Sequence, residues 1–276
     1  MSIKREIQRI ACHICDNLPL PAVRELLLPP LAQDRKIDEF GFLLLEDGSA
    51  GPLYVSLGET LPRLHRLRHE LRGVAPLSLV TALGDADPAS SALALGAFNA
   101  LSQHLMRRAG FDPTTVPQRQ RAAVRRPGMV GYFPPLAERY LARGMEFVVI
   151  EKNPSRVPHA AGILLSDDPA SLAGCDEVIC TASTLINDTL EEILAACPPE
   201  SALALTGPSA SCLPDALFSA GVATVGGVRI ERPDLLTAAV ARGDTWSGCG
   251  RKYQLSPEDY PGVARLLAAA LSSPSP

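Results

Sequence analysis

Apolar positions recur at helical spacing from the start of the chain, where Ile3, Ile7, Ile10, Ala11 and Ile14 share one face. Pro19 and Pro21 interrupt that helix, and PAVRELLLP, residues 21–29, predicts a second short helical piece. IDEFGFLLLED and GPLYVSLGE are strand-like runs, and the Asp47, Gly48, Ser49, Ala50, Gly51 stretch between them predicts a hairpin. ETLPRLHRLRHEL is basic and amphipathic, and PLSLVTALGD reads as a further strand. A long helix opens with Asp87 as N-cap and Pro88 at the first helical position, and Gly110 stops it. Up to residue 110 the pattern is therefore α+β.

Residues 111–127, FDPTTVPQRQRAAVRRP, are polar, flanked by prolines and read as a linker or arm. From residue 128 the rhythm changes. MVGYF, MEFVVIE, CDEVICTA, ALALTG and VATVGGV read as strands, and PPLAERYLARG, STLINDTLEEILAAC, LPDALFSAG and PDLLTAAVARG as helices. That alternation predicts a parallel, doubly wound sheet. The expected fold class is α/β: an α+β domain over 1–110, then a Rossmann-like domain over 128–276.

With 20% charged residues and a net charge of −4, the chain has no electrostatic reason to bind nucleic acid or an anionic membrane. Aromatics at 5% leave few stacking platforms for bases. The seven cysteines follow no disulfide framework, which fits a reducing cytoplasm. No apolar run approaches the roughly 18–20 residues that span a bilayer. A soluble cytoplasmic protein is expected.

Open α/β sheets bind ligands beyond the carboxyl ends of their strands. Gly131, Tyr132 and Phe133 follow the first strand, and Glu151 the second. Thr181, Ser183, Thr184 and Asn187 follow the third, Gly207, Pro208 and Ser209 the fourth, and Gly226 and Gly227 the fifth. The G-x-G-x-x-G phosphate fingerprint is missing, which argues against an ordinary dinucleotide site. Glu151 stands about 20 residues after the first turn, where a ribose-binding acid or a plain helix cap would sit. Asn187, read as one turn into a helix, faces either the cleft or solvent. Gly207-Pro208-Ser209 suits a simple strand-to-helix turn and a ligand cradle equally. Cys212 lies near a helix start, Cys12-His13-Ile14-Cys15 lacks a second metal-binding pair, and Arg63, Arg66, Arg68 and Arg72 around His65 and His69 disfavour a cation there.

The blocks CDEVICTASTLINDTLEEIL and LALTGPSASCLPDALFSAGVATVGGVRI resemble the DUF364 family, whose name associates it with heavy-metal chelation. Thr181 to Leu190, Gly207 to Ser209, and Gly221, Val222, Gly226 and Gly227 carry the likeness, with Gly131 to Leu136 as a fourth block. Leu83 to Gln103 resembles the associated DUF4213 domain, including Asn99. The resemblance implies an enolase-N-terminal-like domain followed by a Rossmann-like domain, with the active site at their junction. It implies Glu151 and Asn187 as catalytic residues. Asn99, Gly131, Tyr132, Phe133, Thr184, Gly207, Pro208, Ser209 and Gly227 become ligand contacts.

The implied partner is a small organic molecule or metal chelate, condensed or hydrolysed as a pterin-, flavin- or siderophore-like compound. No residue set names a metal, so the cofactor is unknown; a metal ion or metal chelate is the family's implication. Two other readings stand beside this one: a non-catalytic metal or metallophore carrier using Cys180 or Cys212, and a nucleotide- or S-adenosylmethionine-dependent transferase. A homodimer is expected, with apolar helices such as GVARLLAAAL able to supply its interface.

Overall fold

The computed structural model describes residues 2–31, 39–118 and 124–272. α1 (Ile3–Asn17) buries Ile3, Ile7, Ile10, Ala11 and Ile14, the face that their spacing predicts. The second predicted helical piece is instead a strand, β1 (Val23–Leu27), paired antiparallel with β2 (Phe40–Leu45). Cross-strand pairing outweighs local propensity there. β2 turns at Asp47 and Gly48 into β3 (Ala50–Tyr54), the hairpin the sequence predicts. α2 (Thr60–Leu67), α3 (Pro76–Val80) and α4 (Pro88–Arg108) follow. α3 occupies the stretch read as a strand, with Pro76 in its first turn, where a missing N–H is tolerated. Asp87 caps α4 by accepting the amides of Ala89 and Ser90.

The second sheet contains β4 (Pro127–Val130), β5 (Phe147–Ile150), β6 (Ile163–Ser166), β7 (Glu177–Thr181), β8 (Ala202–Thr206), β9 (Thr224–Ile230) and β10 (Gly250–Leu255). α5 (Pro134–Leu141), α6 (Leu190–Ala196), α7 (Asp215–Ser219) and α8 (Pro233–Arg242) connect them, and α9 (Val263–Ser272) closes the chain. The spatial order is β10-β9-β8-β7-β4-β5-β6, with only β10 antiparallel to its neighbour. Numbered from β4, this is the 3-2-1-4-5-6 order of doubly wound dinucleotide-binding sheets plus one antiparallel edge strand. The α/β fold class is the one expected. The sequence reading misses β6, a half-exposed edge, and β10, whose Arg251 and Lys252 interrupt any apolar run.

The helix read over residues 183–197 is divided. A 3-10 turn covers Ala182–Leu185, and α6 starts only at Leu190. Asp188 between them has φ 58°, which no continuing helix accepts.

Two contacts enclose the small sheet. α4 lies directly on β3, where a Cβ added at Gly51 would overlap the Gly96 carbonyl and the Ala100 amide. The opposite face of the small sheet, with Phe42, Leu44 and Ala50, packs on Leu236, Ala239 and Val240 of α8. The antiparallel sheet is thus enclosed by α4 on one face and by an excursion of the larger sheet on the other. The apolar residues of α9, Leu266, Leu267 and Ala270, are buried in the core shared with α1 and α4, so that face is already covered.

Candidate functional site at the carboxyl edge of the parallel sheet

α4 is apolar nearly all round, yet it carries buried Ser91, Asn99, Ser102 and Gln103. Each is explained by a bond to the second sheet's connections. Ser91 Oγ donates to the Ile186 carbonyl at 2.7 Å, and Gln103 Nε2 to the Ser211 carbonyl at 2.9 Å. The Leu213 amide donates to Ser102 Oγ at 3.0 Å. Asn99 Nδ2 donates to the Pro52 carbonyl of β3 at 2.7 Å and to the Ser209 carbonyl at 2.9 Å. This polar row docks the helix against the turn after β8.

That turn is Gly207-Pro208-Ser209. Gly207 has φ 128° and ψ 161°, a region essentially restricted to glycine. Its amide donates to the Gly226 carbonyl at 3.0 Å, so the chain leaves β8 while still tied to β9. Ser209 is 1% exposed, and its Oγ has no hydrogen-bond partner; neither has Asn99 Oδ1. Two buried polar atoms without partners therefore flank one contact between helix and turn. Ser211 beside them is fully used, its Oγ donating to Pro208 O and accepting the Val228 amide.

The other end of β3 meets the turn after β5. Arg156 Nη2 donates to Tyr54 Oη at 3.0 Å and to Glu39 Oε1 at 2.9 Å. β3 therefore reaches from the turn after β8, held at Pro52, to the turn after β5, held at Tyr54. Three strand spacings, about 14 Å, separate β8 from β5. Two β-residues of about 7 Å together with an arginine side chain cover that span. Between β8 and β5 lie β7 and β4, the pair at which the strand order reverses. β3 thus links the turns on either side of the topological switch point, the place where such sheets bind ligands.

At the switch point Gly131 and Thr181 face each other, and a Cβ on Gly131 would stand 3.0 Å from Thr181 Cγ2. Tyr132 and Phe133 are half-buried against the cluster of Met129, Ala137, Tyr140 and Phe147. They form an apolar flank. Glu151 is half-buried, and its Oε1 accepts the Asn153 amide at 3.0 Å. Its charge acts on Arg156. Burial raises the Tyr54 pKa, the Arg156 hydrogen bond opposes it only in part, and the phenol stays neutral.

Two of the expected ligand contacts, Thr184 and Gly227, and the expected catalytic residue Asn187 make local contacts. Thr184 Oγ1 closes its own turn on the Thr181 carbonyl at 2.7 Å. Gly227 makes room for Ser211 Cα and the Tyr253 ring, each 2.9 Å from an added Cβ. Asn187 is exposed and lies before α6 rather than within it, accepting Thr189 Oγ1 at 2.7 Å. Among the described residues no hydrogen bond joins Asn187 to Asn99, Ser209 or Arg156. The structure brings together Asn99, Gly207, Pro208 and Ser209 at one end of β3, and Glu151 near the other.

The DUF364 family model, described as "Putative heavy-metal chelation", matches residues 116–257. The chain belongs to the DUF364 family. Two solved structures of DUF364 proteins of unknown function share the fold. One, from Pyrococcus horikoshii, is 19% identical, with a TM-score of 0.66 over 92% of this chain and 99% of that one. The other, from Desulfitobacterium hafniense, is 19% identical, with a TM-score of 0.67 over 91% and 98%. No match is found among curated proteins.

Among the described residues of this DUF364 protein, the donor set does not suit a bare metal ion. Among the described residues no group of three or more His, Cys, Asp or Glu side chains is placed to hold one. Cys180 and Cys212 are buried, which pushes both thiols up to about 12 and keeps them protonated at neutral pH. Sequence reasoning missed Tyr54, Arg156 and Glu39. The Asn-Pro turn before Arg156 was legible, but its partners lie about 100 residues earlier in the chain, beyond any periodic signal. Ser102 and Gln103 did carry a signal, as polar residues three and four positions after Asn99 on an apolar helix.

Proposed function

We propose that the protein binds a small organic molecule, or a metal already held by one, in the switch-point crevice under β3. One observation carries this reading: β3 is tied at Pro52, through Asn99, to the Gly207–Ser209 turn and at Tyr54 to Arg156, the turns after β8 and β5 that flank β7 and β4. The family description supplies the metal, and the poor donor set argues that an organic chelator brings it. In this reading the half-buried Gly207 and Pro208 form the inner end of the crevice, and the buried Asn99 and Ser209 behind them hold the turn. Glu151 stands at the outer rim as the proton acceptor for a condensation or hydrolysis. The likeness of Leu83 to Gln103 to DUF4213 fits a first unit that contributes Asn99 and β3.

A thermal-shift screen of pterins, flavins, hydroxamate and catecholate chelators, nucleosides and S-adenosylmethionine tests this reading. Ser183 is half-buried with its Oγ 3.1 Å from Thr181 Oγ1, so a compound bound in the crevice raises Tm in the wild type and not in Ser183→Trp, which fills the space beside Thr181. A compound that stabilises both equally binds elsewhere. Glu151→Gln that keeps both the shift and full turnover removes the proton-acceptor role.

A further inference from the structure

At the outer end of the crevice, two donors converge on one carboxylate. Glu39 Oε1 accepts from Arg156 Nη2 at 2.9 Å and from Tyr54 Oη at 3.4 Å. The first bond is ordinary. The second is beyond the usual range for O–H···O, so the Tyr54 hydrogen is poorly used. Arg156 commits only Nη2 to these bonds, and among the described residues Nε and Nη1 take no other hydrogen bond. A guanidinium with an unused edge beside a neutral phenol matches the oxygens of a carboxylate, hydroxamate or phosphate.

Glu39 is weakly held in that position. Both members of the Arg156–Glu39 pair are 44% exposed, and such a pair contributes little stability. Tyr54 is far more enclosed, at 9%. The Tyr54 phenol is therefore fixed by the fold and holds Arg156 through one hydrogen bond, while the half-exposed Glu39 carboxylate is the exchangeable partner. The charge of Glu151 also acts on Arg156, which favours release of an anion over permanent capture.

We infer that Tyr54 and Arg156 form an oxyanion-binding subsite, and that Glu39 fills it until the ligand's own anionic group displaces it. This rests on the crevice reading above and adds to it a ligand class: the molecule carries an oxyanion at the end that lies near β5. No residue here acts as a metal ligand. Arg156 and Tyr54 position the ligand, and Glu39 competes with it.

The test uses malonate and inorganic phosphate as probes on the full chain, followed by calorimetry and thermal shift. Wild type is expected to bind at least one probe. Glu39→Gln removes the competitor and tightens binding about two- to fivefold, the scale set by a half-exposed ion pair. Arg156→Gln loses the response, and Tyr54→Phe weakens it about three- to tenfold. Arg156 and Glu39 are half exposed, so these variants should keep the wild-type circular dichroism. A merely structural ion pair would not give tighter binding in Glu39→Gln. The inference is overturned if neither wild type nor Glu39→Gln binds either probe, or if Arg156→Gln binds as wild type does. An organic ligand that Ser183→Trp excludes but Arg156→Gln retains unchanged leaves the crevice standing and removes the oxyanion subsite. Probe binding with the expected variant pattern, but no organic ligand in the crevice, does the reverse.

Discussion

Asn99 on α4 donates to the Ser209 carbonyl at 2.9 Å, across 110 residues of sequence, and the same nitrogen holds Pro52 of β3. This one amide ties together helix, strand and turn. It is 0% exposed, so the two carbonyls it satisfies have no water to replace it.

Asn99→Ala should therefore cost about 2–5 kcal/mol, the desolvation of two stranded carbonyls. Asn99→Asp should cost at least as much, because a carboxylate would face two carbonyl oxygens. Urea unfolding of both variants measures the loss. A change below about 0.5 kcal/mol in either would mean that the seam relaxes freely.

Gly207→Ala places a Cβ on a backbone at φ 128° and should cost about 1–3 kcal/mol. It should also weaken any crevice ligand, because the turn that carries Ser209 must shift. Gly58→Ala is the control: its φ is 50°, with nothing within 4 Å of an added Cβ. That change should cost about 1 kcal/mol and leave binding untouched. Equal effects at the two positions would contradict the assignment of the turn.

The β2–β3 turn has its own acid-sensitive anchor. Asp47 Oδ2 is 2.6 Å from His104 Nδ1, and Arg107 pairs with the same oxygen. Burial by itself would raise the Asp47 pKa, but the His104 and Ser49 hydrogen bonds and the Arg107 charge outweigh it and hold the carboxyl below its ordinary value. A lowered folded pKa stabilises above the unfolded value of about 3.9, and that contribution is lost as pH falls below it towards the folded pKa. Wild type should lose stability over that window more steeply than Asp47→Asn. Parallel acid limbs in urea titrations would remove Asp47 from the account.

Much of this was legible in the sequence wherever a residue's role is local. The spacing of Ile3 to Ile14, the Asp87 cap, the Asp47–Gly48 hairpin and the strand–helix rhythm after residue 128 all depend on near neighbours. The misreadings occur where a distant partner decides. VRELL reads as helix until β2 is beside it, and β10 reads as nothing until β9 supplies the ladder. The site divides in the same way. Gly207 and Ser209 were visible as a break in an apolar run. Asn187 was misplaced because the left-handed residue at Asp188 has no signal in a helix-like pattern. Tyr54 and Arg156 gain their meaning only from β3 linking the turns on either side of the switch point.

The central claim is that the crevice under β3 holds an organic molecule. Native mass spectrometry of the purified chain, compared with Ser183→Trp, tests it most directly. The account predicts an organic mass, with or without a metal, that is present at one per wild-type chain and absent from the blocked variant. A bare metal ion bound at one per chain in both proteins would contradict it and return the question to direct chelation by side chains.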